Sequence, residues 1–358
     1  MKRWIKRHEK LHLWFLTLVA LFWGYREVIG SRPVANAVVS VTQWIKDALA
    51  AVWYILPFSV VEWLYVAFIL GCIVFLVLLI VRVIRSREKL HTIYGGLLFL
   101  ICVGLSVWWY YCMMWGVNYY ADGFQEKSGI YAKPVAIEEL ERVAVYFAEN
   151  LAELADDVER SEDSVFAVDR DEILAYSPYV YDAIAEEFPF LENRDRVPKK
   201  MVFSRLFSHM NFTGFYTPFT GESNMNVDSP ACLMPANIAH ELAHQRGIAS
   251  EQECNFLAIL AATTCDDVNY RYSGYLMGYI HLSNALYRAD KERWRELYAL
   301  LPQEVVADLR YHSVYWAQFE GKTAEVSKKV YDSALKGYGQ TSGIKSYGTV
   351  VDLLVAYY

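Results

Sequence analysis

Three residues near the middle of the chain have types and a spacing suited to metal chemistry: His240, Glu241 and His244, an H-E-x-x-H within ANIAHELAHQRGIASEQECNF (236–256). On a helix, residues four apart project from one face, so both imidazoles can reach a single ion. Glu241, one step beyond the first histidine, then lies beside the ion's open position. That is the arrangement in which Zn²⁺ acidifies water and a carboxylate acts as general base. The bland alternative is two solvent-facing histidines on a surface helix, and the neighbouring residues weigh against it.

Those neighbours define the elements that must hold the motif. Pro235 suits a first helical turn, where its missing N–H costs nothing. Ile238, Ala239 and Leu242 supply an apolar side, and Gly247 can stop the helix in a left-handed conformation. A second helix is predicted to start at Ser250. Phe256, Leu257 and Leu260 follow Glu253 by three, four and seven positions and share its face. A carboxylate on an apolar stripe needs a partner, and a metal would be one. Glu253 is therefore the expected third ligand. Glu251, grouped with Cys254, Asn255 and Ala258 on what reads as a less buried face, is the fallback. Ser250-x-x-Glu253 also reads as a capping box, in which the glutamate would bond only the Ser250 backbone.

PFTGESNMNVDSP (218–230), HELAHQRGIASEQECNF (240–256) and GIKSYGTVVDLLVAYY (343–358) resemble a bacterial family catalogued as domain of unknown function 3810. The resemblance spans nearly the whole chain. It implies N-terminal membrane helices joined to a zincin-like domain. The stretch is also similar to gluzincins, whose metal is held by two histidines and a glutamate on a following helix. Carried over, this implies His240, His244 and Glu253 as zinc ligands and Glu241 as base. Cys254 departs from the alanine of an E-A-N-F pattern and places a thiol near the site.

Of the 358 residues, 55% are hydrophobic and 21% charged, more apolar than is usual for a soluble protein. The excess lies in three runs, at about 11–29, 60–84 and 94–117, each able to supply the roughly 20 residues that cross a bilayer. The first has a basic flank like a signal peptide but no convincing cleavage site, so an uncleaved anchor is expected. Residues 31–59, with few charges, suit an amphipathic helix on the membrane surface or against the bundle. Basic clusters precede the first run (Lys2, Arg3, Lys6, Arg7, Lys10) and follow the second (Arg82, Arg85, Arg87, Lys89). Both ends should be cytoplasmic, leaving the C-terminal part outside. Residues 1–116 hold 12 basic and 5 acidic residues, net +7, which leaves −14 for the remainder of a chain whose total is −7. That acidic balance argues against nucleic acid as a partner. With no CxxC pair a thiolate zinc cluster is not expected. A disulfide between two of Cys232, Cys254 and Cys265 is compatible with export, although small buried residues are the simpler reading.

The expected architecture is a mainly α membrane protein, with a three-helix transmembrane region (1–117) and an extracytoplasmic α+β zincin-like domain with a small sheet (118–358). Ile137, Leu140, Val143, Phe147, Leu151 and Leu154 mark an amphipathic helix, and another is expected over 171–187. MVFSRLF and FTGFYTPFT, between 201 and 227, read as β-prone pieces. Such an edge could take a peptide as an extra strand. Helices are expected over 272–287, 290–300, 302–319, 325–335 and 347–358. His209, His281 and His312 are the remaining histidines of this part, and none is assigned a catalytic role. The leading expectation is a zinc metallopeptidase acting on a peptide or protein, with the lipid bilayer as its other partner. A cell-wall amidase and a non-catalytic metal-stabilised membrane sensor or assembly protein are the alternatives.

Overall fold

The computed structural model describes residues 7–337 and 348–358. The chain is mostly helical, with one small sheet, and divides into two compact units. The first comprises residues up to 53, 60–121 and 218–220; the second comprises 54–59, 122–217 and 221–358.

The first unit holds helices α1 (Glu9–Ile29), α2 (Arg32–Trp53), α3 (Val60–Arg85) and α4 (Lys89–Met114). α3 and α4 have 26 residues each, about 39 Å at helical rise, enough for a hydrocarbon core of about 30 Å. Phe68, Ile69, Leu70 and Ile73 on α3 are all exposed, as a lipid-facing surface would be. α1 and α2 meet at 114° across a short break and pass as a span only together. Among the described residues two helices are thus long and apolar enough to cross a membrane, or three if the bent pair counts as one. α2 occupies the stretch expected to be amphipathic. α1 packs on α4 through Leu18, Leu98 and Cys102, and Trp14 Nε1 donates to Ser106 Oγ at 3.1 Å.

The second unit contains α5 (Phe124–Ser128), α6 (Ile137–Leu154), α7 (Arg170–Tyr176), α8 (Asp182–Glu187), α9 (Ser204–His209), α10 (Met234–Gln245), α11 (Glu251–Thr264), α12 (Val268–Ala289), α13 (Lys291–Tyr298), α14 (Gln303–Ala317), α15 (Lys322–Gly337) and α16 (Thr349–Tyr357). α6 buries the predicted stripe of Leu140, Val143, Phe147, Leu151 and Leu154. It lies close against α12 because Gly278 has no side chain: a Cβ there would sit 2.1 Å from Phe147 Cε1. The single helix expected over 171–187 is two, separated by a 3-10 turn over Ser177–Tyr179, where Pro178 has no N–H to continue the α-helical ladder. Tyr347, expected to begin the last helix, lies outside the described residues.

The sheet has strands β1 (Lys199–Lys200), β2 (Gly214–Thr217) and β3 (Glu222–Met225), in the order β1-β3-β2. β1 runs parallel to β3, while β2 is antiparallel, with Gly214 opposite Met225 and Thr217 opposite Glu222. β2 is therefore an edge strand. MVFSRLF is not a strand: its latter half is α9. Local β-propensity gives way there to a polar network, since Ser208 Oγ lies 2.7 Å from Tyr315 Oη and 3.0 Å from Asp228 Oδ2, and accepts from Asn226 Nδ2 at 2.9 Å. β3 is completed from a distant part of the chain. Its Ser223 N–H donates to Tyr54 Oη at 3.3 Å, and the Lys199 ammonium, ion-paired with Glu222, lies 5.0 Å above the Tyr54 ring.

Candidate metal centre

Pro235 lies in the first turn of α10, and the chain leaves the helix through Gly247 in the left-handed region (φ 81°), as its sequence predicts. Arg246 fixes that end: its guanidinium bonds Asp195 at 2.7 Å and the Leu191 carbonyl at 2.7 Å. It also stacks 3.6 Å above the Tyr181 ring, whose hydroxyl donates to Ala239 O. Ser250 then caps α11, its Oγ accepting from the Glu253 N–H. The two helices pack together and bring His240, His244, Cys254, Asn255 and Glu251 to one place.

Both imidazoles are oriented through Nδ1. His240 Nδ1 lies 3.0 Å from Asn255 Oδ1, and His244 Nδ1 lies 2.8 Å from Ile248 O. Those oxygens only accept, so both Nδ1 atoms carry a proton and each Nε2 is the atom turned to the site. Against the pull of burial the Glu251 carboxylate raises His240, while burial lowers His244 to about 4. The Nε2 atoms face one carboxylate, that of Glu251, at 3.2 Å for His240 and 3.7 Å for His244. Burial alone would raise Glu251, but the His240 hydrogen bond, the two imidazole charges and the Tyr331 hydroxyl bring it down to about 2. Two imidazole nitrogens and a carboxylate converging in a buried space call for a positive charge among them, which a proton on His240 or a bound cation can supply. Donors bound at about 2 Å to a tetrahedral ion stand about 3.3 Å apart, and the observed separations fit that spacing.

A second grouping shares these residues. His240, His244 and Cys254 each offer a ligand atom, all within 4.8 Å of one another, and could hold a metal ion. Cys254 Sγ, however, lies behind His244, 3.3 Å from Nδ1 and 3.4 Å from Ile248 O. Burial, with the nearby glutamates, pushes its thiol well above the ordinary range. The Nε2 face with Glu251 is the better donor set, because its carboxylate is held ionised whereas the Cys254 thiol is held protonated. All six cysteines are free, so no disulfide joins any two of Cys232, Cys254 and Cys265.

The expected third ligand, Glu253, is turned away from this group. Its carboxylate accepts from Phe124 N (2.8 Å), Gln125 N (3.2 Å) and Gln125 Nε2 (3.1 Å), satisfying the first turn of α5. The approach is close: a Cβ on Gly123 would come within 2.5 Å of Glu253 Oε2. Nor does Glu253 reach back to the Ser250 backbone as a full capping box would; only the serine half forms. Glu251, with a relative exposure of 5%, is as buried as Glu253 at 4%. The face it shares with Cys254 and Asn255 is the one that meets the histidines. A polar helix face was read as solvent-facing when it is site-facing.

Glu241 is 4% exposed, and its Oε2 has no hydrogen-bond partner among the described residues. Burial is the main reason its carboxyl rises to about 8; the His240 charge opposes the rise and Glu251 adds to it. The Glu241 carboxylate lies against the edge strand, where a Cβ on Gly214 would stand 3.0 Å from Oε1 and 2.9 Å from Asn224 O. Glycine at 214 is what lets strand and helix approach this closely. From β3, Ser223 Oγ donates to Glu241 O at 3.2 Å, and Gln245 Nε2 donates to the same hydroxyl oxygen at 3.0 Å.

Sequence reasoning assigned no role to Tyr331 or Asn255. Asn255 had a signal, standing four residues after Glu251 on one helix face; Tyr331, 80 residues from Glu251, had none. Its hydroxyl donates to Glu251 Oε1 at 2.5 Å. His281 is lowered to about 4 by burial and then by the charges of His240 and Arg288. His209 packs edge-on against Phe319, and His312 accepts from Trp316 Nε1. No curated protein and no solved structure matches the chain. The profile of one family matches residues 39–355, and the chain belongs to that family, described as proteins of unknown function (DUF3810).

Proposed function

We propose that the protein is a membrane-anchored zinc metallopeptidase working outside the cytoplasmic membrane. His240, His244 and Glu251 would hold the metal and Glu241 would serve as general base. One observation carries the reading: two imidazole Nε2 atoms and the Glu251 carboxylate converge beside Glu241, whose buried Oε2 has no partner among the described residues. A Zn²⁺ ion bound there would supply Lewis acidity toward a carbonyl and lower the pKa of water. Glu241 Oε2 would take a proton from the attacking water and deliver it to the leaving amine. Asn255 and the Ile248 carbonyl would keep the imidazole tautomers fixed while this happens. β2, at the edge of the sheet with β3 on its other side, runs beside Glu241 where an extended peptide could lie. The apolar helices α3 and α4 provide the anchor, and the basic clusters at their proposed cytoplasmic ends support the orientation.

Glu241→Gln is nearly isosteric and should keep stoichiometric zinc while losing peptide hydrolysis, because an amide cannot accept the proton. Full cleavage by that variant would sink the mechanism. A second reading, a non-catalytic site closed by protein ligands, is favoured by the nearness of Cys254. It requires Cys254→Ser to lose zinc, whereas the peptidase reading requires that variant to retain it.

A further inference from the structure

α15 lies over the metal centre with few large side chains to hold it. Ala324, Ser327, Tyr331 and Leu335 recur at helical spacing along its inward face, and of its described side chains only Leu335 is buried. Val326 and Val330 stand 59% and 65% exposed. Gly321, just ahead of the helix, has φ 155° and open space where a Cβ would project. Tyr331 is the inward side chain that reaches the site. Its ring stands edge-on to Phe212 at 5.5 Å, two residues before the edge strand β2, and its hydroxyl meets Glu251 Oε1 at 2.5 Å. The other oxygen of that carboxylate, Oε2, is the one 3.2 Å from His240 Nε2.

The two oxygens thus differ in their surroundings. Oε2 faces His240, while Oε1, 3.7 Å from His244 Nε2, is also fixed by a phenol on a lightly seated helix. We propose that Tyr331 is a positioning residue for the metal ligand Glu251, and that α15 is a lid latched by it, so that metal binding and seating of the lid reinforce each other. This rests on the reading of His240, His244 and Glu251 as ligands. A carboxylate held at Oε1 presents Oε2 without first losing rotational freedom, which tightens metal binding. Coupling between sites is reciprocal, so bound metal must stabilise the seated helix by the same factor. Because Tyr331 also touches Phe212, the seated lid would cover the approach to the β2 edge, and an extended substrate would have to displace it or thread beneath it.

The test uses the full chain in detergent, stripped of metal and titrated with Zn²⁺ and with Co²⁺. The absorption spectrum of bound Co²⁺ reports coordination geometry independently of hydrolysis. Tyr331→Phe removes one hydroxyl and should weaken the affinity for both ions by about 10–100-fold, with an altered Co²⁺ spectrum. Amide exchange across 322–337 should slow on metal addition in the wild type and respond much less in the variant. Equal affinities, or exchange in α15 indifferent to metal in the wild type, would overturn the inference while leaving the metal site standing. Failure of the wild type itself to bind either ion would overturn the metal reading and this inference with it. Leu335→Ala, which loosens the helix without touching Glu251, should reproduce the weakened affinity to a smaller degree if seating matters; no change would reduce Tyr331 to a local contact and reject the lid.

Discussion

Replacing Glu241 with glutamine should make the metal-free protein less sensitive to rising pH, in a defined direction. The carboxyl rises from an ordinary 4.5 to about 8, mainly through burial. Between those values the native state holds a proton that the unfolded chain has released, so stability is lost as pH climbs from about 4.5 to about 8. From pH 5 to pH 9 the loss attributable to this group is about 4 kcal/mol. Glu241→Gln has no such titration. Its amide leaves a donor unpaired where Oε2 now stands, a cost of about 1–3 kcal/mol that does not vary with pH. The pH-dependent difference between the two proteins isolates Glu241, since the titrations of Glu251 and the histidines are largely common to both. Thermal unfolding in detergent with chelator, at pH 5, 7 and 9, should show the wild type losing about 10 °C more than Glu241→Gln across the range, given about 2–4 °C per kcal/mol for a domain of this size. Parallel profiles would mean that Glu241 is ionised and hydrated in the metal-free protein, and the argument from burial would be wrong.

Other substitutions divide structural from ligating roles. Glu253→Ala should cost about 2–4 kcal/mol by orphaning the donors at the start of α5 while zinc stoichiometry holds; Glu251→Ala should lose the metal, and metal analysis beside calorimetry reads both. Gly278→Ala drives a Cβ into the Phe147 ring and should destabilise by about 1–3 kcal/mol or more, seen as a lower unfolding midpoint with the metal site intact. Protease added to intact spheroplasts should digest residues 122–358; protection until lysis would reverse the proposed orientation.

Much of the site was legible because its signals are local. Pro235, Gly247 and Ser250 punctuate two helices in the sequence itself, and the four-residue spacing of the histidines needs only a helix to become a face. Choosing between Glu251 and Glu253 required knowing what each face of α11 meets. Apolar residues beside Glu253 do mark a buried face, but that face covers α5, whose N–H groups gave the carboxylate a partner other than metal. Polar neighbours beside Glu251 suggested solvent, whereas Asn255 and Cys254 face the imidazoles. The apolar helices of the first unit were plain from composition and length. The strands were not: four-residue and two-residue pieces hold too little pattern, and Ser204 of MVFSRLF bonds back to Met201 O while Ser208 just after it is held by Asp228, Asn226 and Tyr315. Tyr331 joins the site through tertiary packing alone.

Tyr54 has a consequence for how this protein could be released from a membrane. The residue is synthesised 169 positions before Ser223, yet it supplies the acceptor for a β3 amide and the ring beneath Lys199. Proteolytic shedding anywhere between the second apolar run and Asp122 would therefore liberate a fragment whose sheet has lost a buttress. Glu241 is attached to that sheet through Ser223 and Gly214. A fragment cut there would carry the whole H-E-x-x-H helix but not the support on which the Glu241 carboxylate rests, so under the proposed function such a cut would act as an off-switch and not as an activation step.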